Sequence, residues 1–235
     1  MKLNVKESGD GDRTAVLIHG LSNSSSTWNS FAGELVSRGY RVLTPDLRGH
    51  GDSPRGEYSP DRWAEDLVDS LPTAADLVIG HSLGGVALVL AADRLAPRRV
   101  IYEDPAWLVP AAVQASSGAR FLRRKQETLE DIRSGNPRWS EEVVVARHAG
   151  FAKWDPDTVA GMHPGVDLDV TPTLPPGRPS LVLLPDPSPL VPPANVERLR
   201  GLGWQVERIS GARHWIHLDE PRAYLEAVLR FTEQS

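Results

Sequence analysis

The sequence predicts an α/β protein: a mostly parallel sheet of about seven strands, with helices on both faces and a helical insertion. Three observations predict it. Short apolar runs alternate with amphipathic segments as far as Tyr102, the rhythm of strand–helix–strand units. That rhythm stops after Glu103-Asp104-Pro105 and resumes at Ser180, so one block interrupts it. Before that break, Leu77-Val78-Ile79 reads as a buried strand, Gly80-His81-Ser82-Leu83-Gly84 as a sharp turn, and the Ala-rich run after it as a helix.

Each element follows from local pattern. Residues 3–6 alternate apolar and polar and predict a short strand, closed by a Gly/Asp turn at residues 7–12. Residues 14–18 form a buried strand that runs into His19-Gly20-Leu21-Ser22. Thr27 is the expected N-cap of a helix with Trp28, Phe31, Leu35 and Val36 on its apolar face, stopped by Gly39. Residues 40–44 are the next strand, and residues 45–53 a turn-rich loop. Ser59-Pro60-Asp61 opens a helix with proline at its first position. Residues 99–102 are a further strand.

Residues 106–175 are the expected insertion, leaving 1–105 and 176–235 as the core domain. Within it, one charged helix is predicted over residues 119–132. A second should run from the Ser140-Glu141-Glu142 cap to about residue 149, and a third should begin at Asp155-Pro156-Asp157. Trp107, Phe121, Trp139, Phe151 and Trp154 concentrate aromatics here. A stiff proline-rich segment, residues 171–177, returns the chain to the core. Strands at 180–184 and 204–208 and helices at 193–202 and 221–232 complete the alternation.

Composition narrows the class of function. The chain has 235 residues, 40% of them hydrophobic, enough to fill a sizeable core. A net charge of −5 argues against a nucleic-acid or anionic-membrane surface. The absence of cysteine excludes disulfides, thiolate catalysis and cysteine-ligated metals. No apolar run approaches the ~20 residues of a membrane span. The first residues lack the apolar stretch of a secretory signal, so a cytoplasmic location is expected. The expected partner is a small-molecule substrate, with no cofactor, metal, nucleic acid or membrane, and the chain a monomer or homodimer.

The turn at residues 80–84 carries the chemistry. Gly-x-Ser-x-Gly between a strand and a helix is a nucleophile elbow, which projects Ser82 out of the sheet. The amide of Leu83 then lies at a helix N-terminus, where an oxyanion is stabilised. Acyl transfer by serine needs a base, and a carboxylate to fix the imidazole tautomer. Of the histidines, His214 lies in the loop after the last strand, at the edge where open α/β sheets place their sites. His217 reads as a cap or supporting residue. His148 and His163 fall in the insertion, and His19 and His50 precede the serine. The carboxylate should follow one of two strands, which offers Glu103 or Asp104 from the first and Asp186 from the second. The second oxyanion donor should be the amide of Leu21, with Gly20 keeping that loop open. Asp46, Arg48 and His50 read as a structural loop held by local hydrogen bonds.

His19-Gly20-Leu21-Ser22, residues 45–53, Gly80-His81-Ser82-Leu83-Gly84-Gly85 and Gly211-Ala212-Arg213-His214 together resemble the α/β-hydrolase superfamily. The resemblance spans nearly the whole chain, with the insertion in the usual lid position. It implies a cofactor-free serine hydrolase of a carboxylic ester or lactone, with Ser82 as nucleophile, His214 as base and the Leu21 and Leu83 amides as oxyanion hole. Ser22, His81, Trp107 and Trp154 are the expected substrate contacts. Two departures matter. The chain is expected to lack the family's additional first strand. The family's common acid position holds Ser188, with Asp186 two residues early. Some members, zearalenone-type lactonases among them, take the acid from the earlier strand, at a place matching Glu103 or Asp104. That pair is therefore favoured over Asp186. A serine nucleophile argues against haloalkane dehalogenase and epoxide hydrolase chemistry. C–C hydrolase, acyltransferase, cofactor-free haloperoxidase and ligand-receptor functions are alternatives on the same fold.

Overall fold

The computed structural model describes residues 1–162 and 165–234, and its organising unit is one seven-stranded sheet. The strands are β1 (Val5–Ser8), β2 (Arg13–Ile18), β3 (Tyr40–Pro45), β4 (Leu77–His81) and β5 (Val100–Glu103). After two short strands in the insertion, β6 (Leu108–Val109) and β7 (Leu168–Asp169), come β8 (Ser180–Asp186) and β9 (Gln205–Ser210). Their spatial order is β1-β3-β2-β4-β5-β8-β9. Only the edge strand β1 is antiparallel to its neighbour; the other pairings of this sheet are parallel.

The two faces follow from the period-two alternation of strand side chains. Val16, Ile18, Val78, Tyr102, Val182 and Leu184 point to one face. There they pack with Trp63 and Leu67 of α2 (Pro60–Ser70), Val86 of α3 (Leu83–Leu95) and Leu199 of α8 (Pro193–Gly201). Leu17, Leu77, Ile79, Ile101 and Leu183 point to the other face. They meet Phe31 and Leu35 of α1 (Asn29–Val36) and Tyr224 and Phe231 of α10 (Pro221–Thr232). Because both faces are covered, the central strands read as continuous apolar runs.

The expected cap of α2 forms and the expected cap of α1 does not. Ser59 accepts a bond from the Arg62 amide at 3.2 Å and Pro60 occupies the first turn, as expected. Thr27 does not cap α1. A 3₁₀ turn over Ser25–Trp28 takes that place, and the Thr27 hydroxyl donates instead to Ser24 O at 2.9 Å.

The insertion holds α4 (Ala111–Arg124), α5 (Leu129–Gly135), α6 (Glu141–Lys153) and α7 (Thr158–Met162). The single helix expected over 119–132 is two. Thr128 takes the Asp131 amide while the Asp131 carboxylate accepts from the Thr128 amide at 2.8 Å, a capping box that starts a new helix. Ser140 caps α6 as expected. The pairing of β6 with β7, Leu108 with Asp169 and Val109 with Leu168, was not expected from sequence, because two-residue strands carry no readable alternation. Ile132, Trp139, Val144 and Phe151 form the insertion's own small core together with Leu218 of α9 (Ile216–Asp219). Lys153–Asp52 (2.6 Å) and Tyr58–Asp155 (2.7 Å) tie the insertion to the loops at the C-terminal edge of the sheet. Among the described residues no helix is long and apolar enough to cross a membrane.

Candidate active site

The elbow is built from backbone strain and close approach. Ser82 sits between β4 and α3 with φ 52° and ψ −112°, a conformation that costs a non-glycine residue about 1–3 kcal/mol. Its surroundings hold it there: the Ser82 amide donates to Glu103 O at 3.0 Å, and its carbonyl accepts from the Gly85 amide at 3.0 Å. A Cβ on Gly84 would lie 2.4 Å from Ile18 O, and one on Gly80 2.6 Å from Gly84 O. Only glycine lets the start of α3 cross β2 so closely. Leu83 opens α3, where amides have no intrahelical acceptor.

The neighbouring carboxylates part company at the end of β5. Asp104 has φ 35°, so the chain turns sharply after Glu103. The Asp104 carboxylate faces the loops after β8 and β9. Its Oδ2 lies 2.6 Å from His214 Nδ1, and its Oδ1 accepts from Ser188 Oγ, also at 2.6 Å. Glu103 points to the α1/α10 side. It accepts from the His217 amide at 3.0 Å and lies 2.8 Å from His217 Nδ1. The His217 ring stacks on Trp28 with centroids 4.0 Å apart. Of the acids expected beside His214, therefore, Glu103 is bound to a different histidine, and Asp186 pairs with Arg208 at 2.8 Å.

Sequence reasoning noted Ser188 only as the residue standing at the usual acid position. In the fold its hydroxyl accepts from the Leu190 and Val191 amides at 3.1 and 2.9 Å and passes its own proton toward Asp104. The serine at that position thus orients a carboxylate supplied by another strand. Its alignment with the family's acid was the signal that could have found it.

Ser82, Leu21, Leu83 and His214 line one cavity of about 1050 Å³, roofed by α4. Neither the Ser82 hydroxyl nor His214 Nε2 has a hydrogen-bond partner among the described residues, which leaves both to the cavity. The four expected substrate contacts lie elsewhere. Trp107 and Trp154 are buried with their indole N–H groups donating to Gly85 O (3.1 Å) and Thr158 Oγ1 (2.7 Å). Their aromaticity is used in the core rather than on a ligand. His81 is buried behind the site, and its Nε2 donates to His214 O at 3.0 Å. The Ser22 carbonyl accepts from Arg147 at 2.6 Å. The cavity wall comes instead from Leu108, Val109, Val113, Phe121 and Leu190. His148 is on the exposed side of α6, and His163 lies outside the described residues.

Arg147 joins the insertion to the loop that carries Leu21. Its guanidinium is buried, bonded to Ser22 O, Ser22 Oγ and Asn23 Oδ1, and lies 4.4 Å over Phe151. Burial holds its pKa well below the ordinary arginine value, with the nearby Arg124 charge adding to the effect. Ser22 itself has φ 60°, so the loop needs this clamp. Arg147→Met is expected to lower stability by about 2 kcal/mol in urea unfolding, the scale of hydrogen bonds to a charged group. It should also lower kcat more than it raises KM. Unchanged stability and kcat would remove the clamp from the picture.

Three buried histidines support the same edge in neutral form. Leu47 N–H donates to His19 Nε2 (3.0 Å) and Ser22 N–H to His50 Nε2 (3.2 Å), so each carries its proton on Nδ1, facing Gly20 O and Arg48 O. Burial pushes the pKa of His19, His50 and His81 below the ordinary 6.5. The unfolded chain therefore binds protons below pH ~6.5 that the folded chain refuses. Stability is full above that pH and falls with acidification, by up to about 1.4 kcal/mol per pH unit for each histidine. Thermal melts at pH 7.5, 6.0 and 5.0 should show a steep decline; a flat Tm would contradict it.

Asp46, Arg48 and His50 form the structural loop expected. Asp46 accepts from the Ser25 amide (2.7 Å), and Arg48 grips Asp66 with bonds of 2.6 and 2.7 Å. Among the described residues no group of His, Asp and Glu gathers in a metal-binding arrangement.

Comparison with known proteins agrees with this architecture. The chain is 33% identical to mouse (Mus musculus) sn-1-specific diacylglycerol lipase ABHD11, over 94% of this chain and 82% of that one. It is 26% identical to esterase YbfF of Escherichia coli, over 98% and 99% of the two chains. An esterase structure from Exiguobacterium antarcticum superposes with a TM-score of 0.78 at 17% identity, covering 99% of this chain and 96% of that one. The sequence model described as the alpha/beta hydrolase family matches residues 15–227. With its seven-stranded sheet, its strained serine turn and this match over most of its length, the chain belongs to the alpha/beta hydrolase family.

Proposed function

We propose that the protein is a serine hydrolase of a carboxylic ester or lactone. Ser82 attacks the carbonyl carbon, and His214 Nε2 takes the hydroxyl proton. Asp104 holds the proton on His214 Nδ1 and stabilises the imidazolium that forms. The amides of Leu21 and Leu83 receive the oxyanion; one such donor is worth about 3 kcal/mol in related acyl transfer. His214 then returns the proton to the leaving alcohol. In the second half, water loses its proton to His214 and attacks the acyl-Ser82 carbonyl; the acyl–Oγ bond breaks, His214 returns the proton to Ser82 Oγ, and the acid is released. Hydrogen bonds between nucleophile and base often tighten only once substrate is bound.

The single observation behind this reading is the 2.6 Å Asp104–His214 bond in the same cavity that Ser82 enters on a strained turn. The segment 106–175 acts in it as the lid, its α4 forming the roof. Esterase and lipase activities of the relatives point the same way.

The test uses a p-nitrophenyl ester and a fluorophosphonate. Hydrolysis of the ester is expected, with activity lost in proportion to a label that mass spectrometry places on Ser82. A label elsewhere, or full activity after labelling of Ser82, would overturn the reading. Labelling without turnover of any ester would favour a receptor instead.

A further inference from the structure

The roof of the cavity is positively charged, although the protein as a whole carries a net charge of −5. Arg120, Arg123 and Arg124 all line the cavity from the last turns of α4. Positions three and four apart share one face of a helix. Among the described residues none of the three forms a salt bridge, although the Glu127 charge acts on Arg124. Arg124 is the most enclosed, its guanidinium 4.8 Å from the Trp215 ring centre and 5.1 Å from that of Phe121. Burial lowers its pKa to about 10, so it remains charged at neutral pH. The Trp215 ring also carries Arg147, at 5.2 Å, which places a second buried cation beside the first.

The other charges on the wall are already engaged. Arg213 is bound to Asp219 at 3.0 Å, and Asp186 to Arg208 at 2.8 Å. Arginine near a helix C-terminus complements the helix dipole. That accounts for the position in the sequence, but not for three of them bordering one largely apolar cavity, Arg120 and Arg123 at its solvent-exposed rim and Arg124 more enclosed, with Glu127, among the described residues, the one carboxylate whose field reaches Arg124. Arginine without an ion-pair partner at the mouth of an apolar cavity favours an anion, and its planar fork suits carboxylate and phosphate oxygens. The same cavity is lined by Leu108, Val109, Val113 and Leu190 and by Ser82.

We propose that the α4 arginines bind an anionic group, carboxylate or phosphate, on a substrate whose apolar portion spans the distance to the scissile ester at Ser82. This rests on the ester-hydrolase reading above and narrows its substrate class to amphiphilic anionic esters.

The experiment compares two esters of matched length, mono-p-nitrophenyl suberate and p-nitrophenyl octanoate. The wild-type protein is expected to favour the anionic ester in kcat/KM. The ratio of the two values should fall by about tenfold or more in Arg120→Gln/Arg124→Gln, the scale of one charge-assisted hydrogen bond. Arg124→Lys should retain most of the ratio. Arg200→Gln, on exposed α8, should leave it unchanged. Competition by octanoate, octyl phosphate and neutral octanamide separates the sources of the anion. Tighter binding of octanoate indicates a carboxylate substrate, and tighter binding of octyl phosphate a phosphate one. A ratio near one in the wild type, a ratio that survives the double exchange, or equal competition by octanamide would overturn the proposal while leaving the hydrolase reading intact. If neither ester is cleaved through Ser82, the hydrolase reading itself fails and takes this proposal with it.

Discussion

Ser82→Ala is expected to lower kcat on a p-nitrophenyl ester by about 10⁵–10⁶, with KM little changed, the scale seen when a triad serine is removed elsewhere. The exchange deletes the attacking atom and almost nothing else. The Ser82 hydroxyl makes no hydrogen bond among the described residues, and its backbone bonds to Glu103 and Gly85 do not depend on the side chain. Thermal stability should therefore be preserved, which separates loss of chemistry from loss of fold. Residual activity within about tenfold of the wild type would show that the serine is not the nucleophile, since background catalysis from the oxyanion donors alone lies orders of magnitude lower.

Asp104→Asn is expected to reduce kcat by about 10³–10⁴, equivalent to about 4–5.5 kcal/mol of barrier. The physical reason is a tautomer. Ser188 Oγ donates to Asp104 Oδ1, so an asparagine here would turn its carbonyl oxygen to Ser188 and its NH₂ to His214 Nδ1. His214 would then have to accept at Nδ1 and carry its proton on Nε2. A protonated Nε2 cannot take the proton of Ser82. Glu103→Gln supplies the contrast. Glu103 is held by the main-chain amide and ring of His217, on the far side of the sheet edge. Its exchange should lower Tm and change kcat less than about threefold. Measured kcat values in the reverse order would transfer the acid role to Glu103.

These two carboxylates show where reading the sequence stopped. Glu103 and Asp104 are adjacent, both end the same strand, and both are acidic, so pattern alone left them equivalent. Strand alternation and the positive φ of Asp104 send their side chains to opposite sides. Which side holds the base depends on the loops after β8 and β9, more than eighty residues away in the chain. The residues expected as substrate contacts are absent from the cavity lining for a related reason. Trp107 and Trp154 are aromatic residues in an insertion over the site, and that is equally the description of an insertion's core. Their indole N–H groups find protein acceptors, and the cavity is left to aliphatic residues, Phe121 and α4 arginines that the sequence marked only as part of a charged helix.

The order of elements, the two-faced sheet, the serine turn and the loop that carries His214 were legible in the sequence by itself. Each rests on interactions within a few residues: a buried run bounded by turns, a cap, a glycine where backbones nearly touch. The partner of His214, the clamp of Arg147 on the Ser22 loop and the charge of the cavity roof were decided only by tertiary structure. Each is a meeting of side chains from distant segments, and hydrogen bonding at 2.6 Å is set by how strands, loops and insertion close on one another.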